Sequence, residues 1–317
     1  MSALFTCANG IVRPNLLAMV KFSVTSLLLV ALTMSSPTAA APQPLALKPT
    51  SAWHVDYADE RCRLARQFGE GEQTVLLFMD RFGPGEYFRL TLAGKLIRTH
   101  LEKGDAAVQF GPSEEEQKLA YLKGNLGKDP ALVFSSSARI APPSAAELLA
   151  IRNRKNTEWI EVEPISEDRQ KAVRYLRVGK PLRKPVILET GSMRAPSAAL
   201  DTCIDNLLIS WGVDVAKHKT LSQNAAPLQS PGKWVVSSDY PLDMLSAGQP
   251  ALVNFRLSIG ANGVPTACYI QSTTRPKEFD NAVCKSVMRR ARFSPALDAN
   301  GQPLASYYQN SVYFHIP

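Results

Sequence analysis

The feature that most constrains the fold is a strand, turn, strand, helix, strand pattern close to the C-terminus. Apolar and polar residues alternate over 253–259, and Asn262-Gly263 follows. Alternation with a period of two predicts a half-buried strand, and Asn-Gly favours a two-residue hairpin turn because both turn positions need a positive φ. A return strand is expected from Val264, a helix over 279–291 and a last strand from about 306 to 316. This order predicts a compact ββαβ unit.

The first part of the chain has a different pattern, with many short strand-like runs separated by Gly and Pro. These runs are residues 74–79, 87–92, 107–110, 131–134, 159–162 and 173–178. Short strands at such spacing are typical of a sandwich or barrel-like sheet. Two segments interrupt them with helical features: 113–122 has acids after a capping Ser, and 144–154 has a capping-box spacing from Ser144 to Glu147.

A longer amphipathic helix is expected over 197–211, because its apolar residues recur at intervals of three and four and Gly212 follows. The polar, Pro-containing residues 216–237 then predict a linker. The fold class is therefore α+β. A β-rich N-terminal domain over 53–215, sandwich or barrel-like and closed by a helix, precedes a small ββαβ domain over 238–317.

The N-terminus has the three parts of a secretory signal peptide over residues 1–40. A basic residue precedes the apolar run 22–34, and small residues lead to the expected cleavage after residue 40. We expect translation from Met19, which makes 1–18 an over-extended start, and an extended leader over 41–52. The apolar run is about 13 residues long, whereas a spanning helix needs roughly 20. Export to the periplasm is therefore favoured over retention as an inner-membrane anchor.

The net charge does not predict a nucleic-acid partner. The chain has 36 Lys and Arg against 28 Asp and Glu, a formal charge of +8. The signal peptide holds two of the cations, Arg13 and Lys21, and the sequence has no run of five or more basic residues. A mildly basic exported surface is expected instead.

The sequence also lacks the motifs of common enzymes and metal sites. It contains no G-x-S-x-G, P-loop, G-x-G-x-x-G, H-E-x-x-H or C-x-x-C, and its four His are scattered. We expect no catalytic residue, no cofactor and no metal. The alternative is an exported hydrolase whose active site lies in the N-terminal domain and matches no motif in the sequence. A cluster of His54, Asp56 and a nucleophile would favour that alternative.

The C-terminal residues resemble a known family over 238–317. The features that carry the resemblance are Tyr240-Pro241, a strand, the turn Ala261-Asn262-Gly263, a second strand, F-D-N-A-V at 279–283, R-F-S-P-A at 292–296, G-Q-P at 301–303 and a terminal apolar strand. This order is similar to that of the TonB C-terminal domain. The resemblance implies a non-catalytic periplasmic domain that binds a partner protein.

Members of that family carry inner-membrane energy to outer-membrane transporters by pairing a strand of this domain with a transporter segment. In such pairing, main-chain hydrogen bonds give affinity and alternate side chains give selectivity. The resemblance implies that the last strand is the pairing edge and that its partner is an envelope protein, with an outer-membrane transporter segment as one candidate. The implied partner-binding residues are Tyr307, Gln309, Ser311 and Tyr313.

A membrane-anchored TonB-type energy transducer is the second alternative, and the sequence departs from it in two respects. The apolar run is short and is followed by a cleavage-like segment. The leader of about ten residues would span roughly 30 Å at most, and a folded domain lies where a long Pro-rich spacer is needed. Partner binding without energy transduction is therefore favoured.

Four Cys remain after the signal peptide, and four Cys in an oxidising compartment predict two disulfides with three connectivities. In the TonB-like region, Cys268 lies on the hairpin and Cys284 on the helix expected to pack across it, so these two are expected to pair. Cys62 and Cys203 would then join the start of the N-terminal domain to its closing helix.

Overall fold

The computed structural model describes residues 43–153, 162–274 and 276–315. The predicted signal peptide over 1–40 and most of the predicted strand 159–162 lie outside the described residues. Within the described ranges, no helix combines the length and the apolar composition needed to cross a bilayer. The structure is mixed α+β with two hydrophobic cores, which confirms the predicted fold class.

Among the residues that the structure describes, the N-terminal domain is built on a sheet of ten strands. Its strands are β1 Leu45–Leu47, β2 His54–Ala58, β3 Arg61–Phe68, β4 Val75–Arg81, β5 Arg89–Ala93, β6 Lys103–Gly111, β7 Gln117–Leu126, β8 Asp129–Phe134, β9 Tyr175–Val178 and β10 Val186–Leu188. Their order in the sheet is β1-β10-β9-β6-β7-β8-β5-β4-β3-β2. The pairing of β1 with β10 is parallel, and the other pairings in this sheet are antiparallel.

The sheet curls because one segment pairs with both of its ends. β1 pairs with β10, and directly after it the Gly69 N–H donates to the Lys48 carbonyl at 2.9 Å. The Thr50 N–H then donates to the Gln67 carbonyl at 2.9 Å, and the chain continues along β3 as β2. The ends of the sheet are thereby brought together. Of the two forms that the sequence predicts, a sandwich and a barrel-like sheet, the structure has the barrel-like one.

In the described ranges, three α-helices accompany the sheet: α1 Ala145–Asn153, α2 Glu167–Ala172 and α3 Arg194–Ser210. α3 is the predicted closing helix and packs against β2 and β3. Its buried side chains include Leu200, Cys203, Ile204 and Leu207. Their spacing places them on one face of the helix, which covers the apolar interior of the sheet.

The predicted helix over 113–122 is wrong, because this part of the chain forms β7 between β6 and β8. Leu119 and Tyr121 are buried and their neighbours are less so, which is the period of a strand. Glu114, expected in the first turn of that helix, is buried and accepts two hydrogen bonds from Arg169 at 2.5 and 3.0 Å. The acidic run therefore supplies an ion pair rather than a helix start.

The short helix α4 Val215–His218 follows α3, and after it the C-terminal domain contains seven strands and two α-helices in the described ranges. They are β11 Ala226–Pro227, α5 Leu242–Ser246, β12 Ala251–Ile259, β13 Pro265–Thr273, α6 Lys277–Arg290, β14 Phe293–Ser294, β15 Ala296–Leu297, β16 Pro303–Leu304 and β17 Ser306–Phe314. The main sheet has the order β13-β12-β17. Phe255 and Leu257 of β12 pack with Phe279 and Val283 of α6 in the second core.

Residues 216–237, which we predicted as a linker, pack onto this domain. β11 pairs with β14, and Gln223 forms a bridge with Leu297. Trp234 is 1% exposed, and its ring centroid lies 5.4 Å from that of Phe293. The segment therefore completes one side of the C-terminal core.

Candidate partner-binding edge of the C-terminal sheet

The last strand, β17, forms one edge of the three-stranded sheet. It pairs antiparallel with β12 from Ser306, opposite Ile259, to Phe314, opposite Ala251. β13 lies on the other side of β12. In the parts of the chain that the structure describes, no strand pairs with the outer side of β17. An edge of this kind presents main-chain donors and acceptors to a second chain.

The hydrogen bonds of β12 identify which groups of β17 face outward. The main-chain groups of Leu252 point toward the β13 side. Its N–H donates to the Thr274 hydroxyl at 3.0 Å, and its carbonyl accepts from the Thr274 N–H at 3.2 Å. Leu252 lies opposite Tyr313, so the main-chain groups of Tyr313 point away from β12, and the direction alternates along the strand. The outward-facing residues are therefore Tyr307, Gln309, Ser311 and Tyr313.

The side chain of Asn310 is hydrogen-bonded to one of these outward main-chain groups. The Ser311 N–H donates to Asn310 Oδ1 at 2.8 Å, and Asn310 Nδ2 donates to the Tyr308 hydroxyl at 3.1 Å. The first bond agrees with an outward direction for the Ser311 N–H. A strand that paired with this edge would have to displace the Asn310 side chain.

The four residues expected to bind a partner all lie along this edge, but their side chains fall into two pairs. Tyr307 and Gln309 are half-buried against the N-terminal domain, where Gln309 Nε2 donates to the Phe82 carbonyl. Ser311 is exposed and Tyr313 is 36% exposed. Two of the four side chains are therefore open to a partner.

Tyr307 lies in an aromatic contact between the domains. Its ring centroid is 5.6 Å from that of Trp211 and 6.1 Å from that of His218. His218 Nε2 also lies 3.2 Å from the Ser306 hydroxyl. Burial raises the pKa of Tyr307 to about 12, because a phenolate at this position would lose much of its hydration.

An ion pair that the sequence did not reveal joins the two domains. Arg256 of β12 is 3% exposed, and its Nη2 and Nε donate to Glu60 Oε1 and Oε2 at 2.7 and 2.9 Å. The guanidinium also lies 4.1 Å from the ring centroids of both Trp211 and Tyr269. A planar, bidentate cation between two aromatic rings requires Arg and is poorly replaced by Lys.

Further polar contacts surround this ion pair. Arg89 Nη2 donates to Asn254 Oδ1 at 2.8 Å, and burial lowers the pKa of Arg89 to about 10. Gln271 Nε2 donates to the carbonyls of Glu60 and Phe82, both at 3.1 Å. The N-terminal domain thus meets β12, β13 and β17 through specific hydrogen bonds to the sheet face.

The Cys62–Cys203 disulfide helps to position the groups that hold Arg256. It joins β3 to α3, with a Cα–Cα distance of 6.0 Å. Glu60 precedes Cys62 by two residues, and Trp211 follows the end of α3. The Trp211 indole N–H donates to the Asp59 carbonyl at 3.0 Å. The β2–β3 turn, which contains Asp59 and Glu60, and the end of α3 are therefore linked both by the nearby disulfide and by a hydrogen bond.

The second disulfide joins Cys268 of β13 to Cys284 of α6, with a Cα–Cα distance of 5.6 Å. It holds the helix against the sheet on the face opposite to the N-terminal domain. The two disulfides join the same pairs of Cys that were expected from the sequence.

The segment before α5 is held by an ion pair at the end of α6. Asp239 Oδ1 accepts from Arg290 Nη2 at 3.1 Å, and Asp239 Oδ2 accepts from the Val236 N–H at 2.8 Å. Hydrogen bonding to Arg290 is the main cause that lowers the pKa of Asp239 to about 2. This pair keeps Trp234 in the core, since Arg290 also donates to the Trp234 carbonyl at 2.6 Å.

A cavity of about 930 Å³ in the N-terminal domain lies beside α2 and α3. Several of its charged lining groups are paired: Arg194 lies 2.6 Å from Glu167, and Asp201 and Glu86 both pair with the buried Arg81. Lys171 and Arg174 line the cavity as well, and Arg174 donates to the main-chain carbonyls of Lys171 and Val173.

His54 and Asp56 both lie on β2, and Asp56 is 3.5 Å from Arg61. In the described part of the chain, no Ser or Cys side chain is hydrogen-bonded to His54, and no three metal-ligating side chains come together.

No curated protein matches the chain. A protein-family comparison does find a match, to the C-terminal part of the Gram-negative bacterial TonB protein, over residues 236–316. The match contains β12, β13, α6 and β17, and with them the edge described above. Residues 236–316 of this chain are therefore a TonB C-terminal domain.

Proposed function

We propose that this is an exported, non-catalytic protein whose TonB C-terminal domain binds an envelope protein by strand addition. The observation that carries the proposal is the outer edge of β17, where main-chain groups of alternate residues face outward without a neighbouring strand in the described ranges. An extended segment of a partner would pair with these groups. No cofactor and no chemical step are required for such binding.

Two further observations support a location in the envelope. Both disulfides close on Cys that the signal-peptide interpretation leaves in the mature chain, and disulfides persist in oxidising compartments such as the periplasm. The matched family is described from Gram-negative bacteria, which have a periplasm. The proposed partner is accordingly an envelope protein, with a periplasmic segment of an outer-membrane transporter as the first candidate.

Site-specific photo-cross-linking in an exporting Gram-negative host tests this proposal. A photoreactive residue replaces Tyr313 on the edge or, as the control, the exposed Tyr57 on β2. We expect an adduct with a defined envelope protein from position 313 and none from position 57. Adducts of equal yield from both positions, or from neither, would refute strand addition at β17.

A second pair of variants examines the main chain itself. Ser311→Pro removes an outward N–H, and the edge position tolerates Pro because β12 does not use that group. Ser311→Ala keeps the N–H and is the matched control. The adduct from position 313 should disappear in the Pro variant and persist in the Ala variant.

A further inference from the structure

One face of the C-terminal sheet carries polar residues that the N-terminal domain covers. Asn254, Arg256 and Gln271 lie on the face away from α6 and are 5%, 3% and 5% exposed. Building on the proposed function, we propose that the N-terminal side caps this face and confines strand addition to residues 310–314. The partner is then a short extended segment of about five residues, the length that pairs with this part of β17. We define the cap as Glu60, Phe82, Trp211 and His218.

The ion pair between Glu60 and Arg256 holds the cap in place. Loss of Glu60 would leave the buried guanidinium without its counter-ion, and undocking of the cap would return it to water. Trp211 and Tyr269 enclose the guanidinium from two sides and restrict its position. The cap is therefore held by specific polar contacts and not by a general apolar surface.

On the capped face, residues of the cap pack closely against the first half of β17. Tyr307 packs against Trp211 and His218, and Gln309 donates to the Phe82 carbonyl. The residue after Phe82, Gly83, comes so near that a Cβ built there would clash with the Gln309 side chain. A partner strand beside these residues would have to fit its side chains against the same elements.

The opposite face of this half of the strand is covered as well. The ring centroid of Tyr308 lies 5.5 Å from that of Trp234 and 5.0 Å from that of Phe293. Residues 306–309 are thus covered above and below the plane of the sheet, so the side chains of a strand added here would have to fit against these groups on both faces.

The second half of β17 is open on the capped side. Ser311 is exposed and Tyr313 is 36% exposed, and both have outward main-chain groups. The strand is nevertheless firmly held, because Phe314 is buried and its ring centroid lies 5.2 Å from that of Tyr240. This end therefore offers a short, rigid edge.

Cysteine accessibility tests the cap in the full exported chain without a partner. Gln309→Cys and Ser311→Cys place a thiol at two positions of one strand face, and their reaction rates with a maleimide are compared. We expect the thiol at position 311 to react about tenfold faster or more, in line with protection by a docked element. Adding Glu60→Ala should accelerate labelling at 309 alone.

Glu72→Ala is the matched control, because Glu72 pairs with Lys95 on an exposed surface outside the cap. It should leave the ratio of rates unchanged, and the masses of the non-reduced variants should show both native disulfides. Equal rates at 309 and 311 in the parent chain would overturn the proposal, as would a ratio that Glu60→Ala does not change.

The photo-cross-linking experiment then tests confinement. With photoreactive residues at 309 and 313, the parent chain should give an adduct from 313 alone, and Glu60→Ala should add one from 309. Adducts from both positions in the parent would overturn confinement. No adduct from either position, with the labelling ratio intact, would overturn the proposed function instead.

Discussion

Arg256 of β12 and Glu60 of the β2–β3 turn form a bidentate ion pair across the contact between the N-terminal domain and the TonB C-terminal domain, at 2.7 and 2.9 Å. The two residues are 196 positions apart in the sequence. Because a buried ion pair contributes little net stability but is costly to break, its main effect is to fix how the two parts dock. The β17 edge therefore lies in a structure to which both parts contribute.

Arg256→Met is expected to lower the free energy of unfolding by ~3 kcal/mol, because Glu60 loses its partner in a largely buried site. Arg256→Lys should recover only part of this loss, since Lys cannot form the bidentate contact. Denaturant unfolding followed by Trp fluorescence measures both. Lys95→Met, which breaks an exposed ion pair, is the control and should change stability by less than ~0.5 kcal/mol. An effect of Arg256→Met as small as that of the control would contradict the expectation.

The ionisation of Tyr307 should report docking of the cap. Its pKa is about 12 in the folded chain, above the ordinary value near 10, so the buried phenol favours folding below about pH 10 and this contribution is lost as the pH rises through 12. Glu60→Ala should move the pKa back toward about 10. Ultraviolet difference titration of each protein against its Tyr307→Phe counterpart isolates this residue. An unchanged pKa in Glu60→Ala would mean that the ion pair does not keep Tyr307 buried.

Asp239 predicts a defined response to acid. Its pKa is lowered to about 2, chiefly by Arg290, so the ion pair stabilises the fold above the unfolded-state pKa of about 4 and this contribution is lost as the pH falls through 2. Asp239→Asn should therefore be less stable than the parent at neutral pH, and the difference should shrink between about pH 5 and pH 2. Thermal unfolding across this range measures it. A difference that stays constant with pH would assign the effect to packing.

The two disulfides should differ in how much they stabilise the chain. Cys268 and Cys284 are 16 residues apart, and the double Ala variant should lose ~3 kcal/mol on the chain-entropy model. Cys62 and Cys203 are 141 apart, and their removal should cost up to ~5 kcal/mol on the same model. Denaturant midpoints of the two double variants give the order. The reverse order would show that native-state strain outweighs loop entropy.

The parts of the fold that the sequence predicts are those with a local signal. The alternation over 253–259 lies within one hairpin and forms β12. The turn was predicted less well: the Gly263 N–H donates to the Gly260 carbonyl at 2.9 Å, so the central turn residues are Ala261 and Asn262 and not the expected Asn262-Gly263 pair. The acidic run within 113–122 is ambiguous, because a helix start and a loop before a strand can have the same composition. Its outcome depends on Arg169, which pairs with Glu114 from 55 positions away.

The candidate site shows the same division. The resemblance to the TonB C-terminal domain placed the binding residues on the last strand, and that strand is an edge. No sequence pattern predicts that Tyr307 and Gln309 are covered by the N-terminal domain. The groups that cover them, Phe82 and Trp211, lie in other parts of the chain and follow no pattern. Contacts between distant elements depend on how those elements pack, which a single sequence does not encode locally.

The Asn310 side chain is hydrogen-bonded to an outward main-chain N–H of β17. Replacing Asn310 by Ala should therefore strengthen strand addition. Its Oδ1 accepts from the Ser311 N–H at 2.8 Å, so a partner must first break this hydrogen bond. A hydrogen bond of this kind contributes about 0.5–1.5 kcal/mol, and Asn310→Ala should therefore raise the apparent affinity about two- to tenfold. The yield of the adduct from position 313, measured against partner concentration, tests this. Asn310→Asp retains an acceptor for the Ser311 N–H and should therefore not show this gain in affinity. Weaker binding by Asn310→Ala would instead identify Asn310 as a direct contact of the partner.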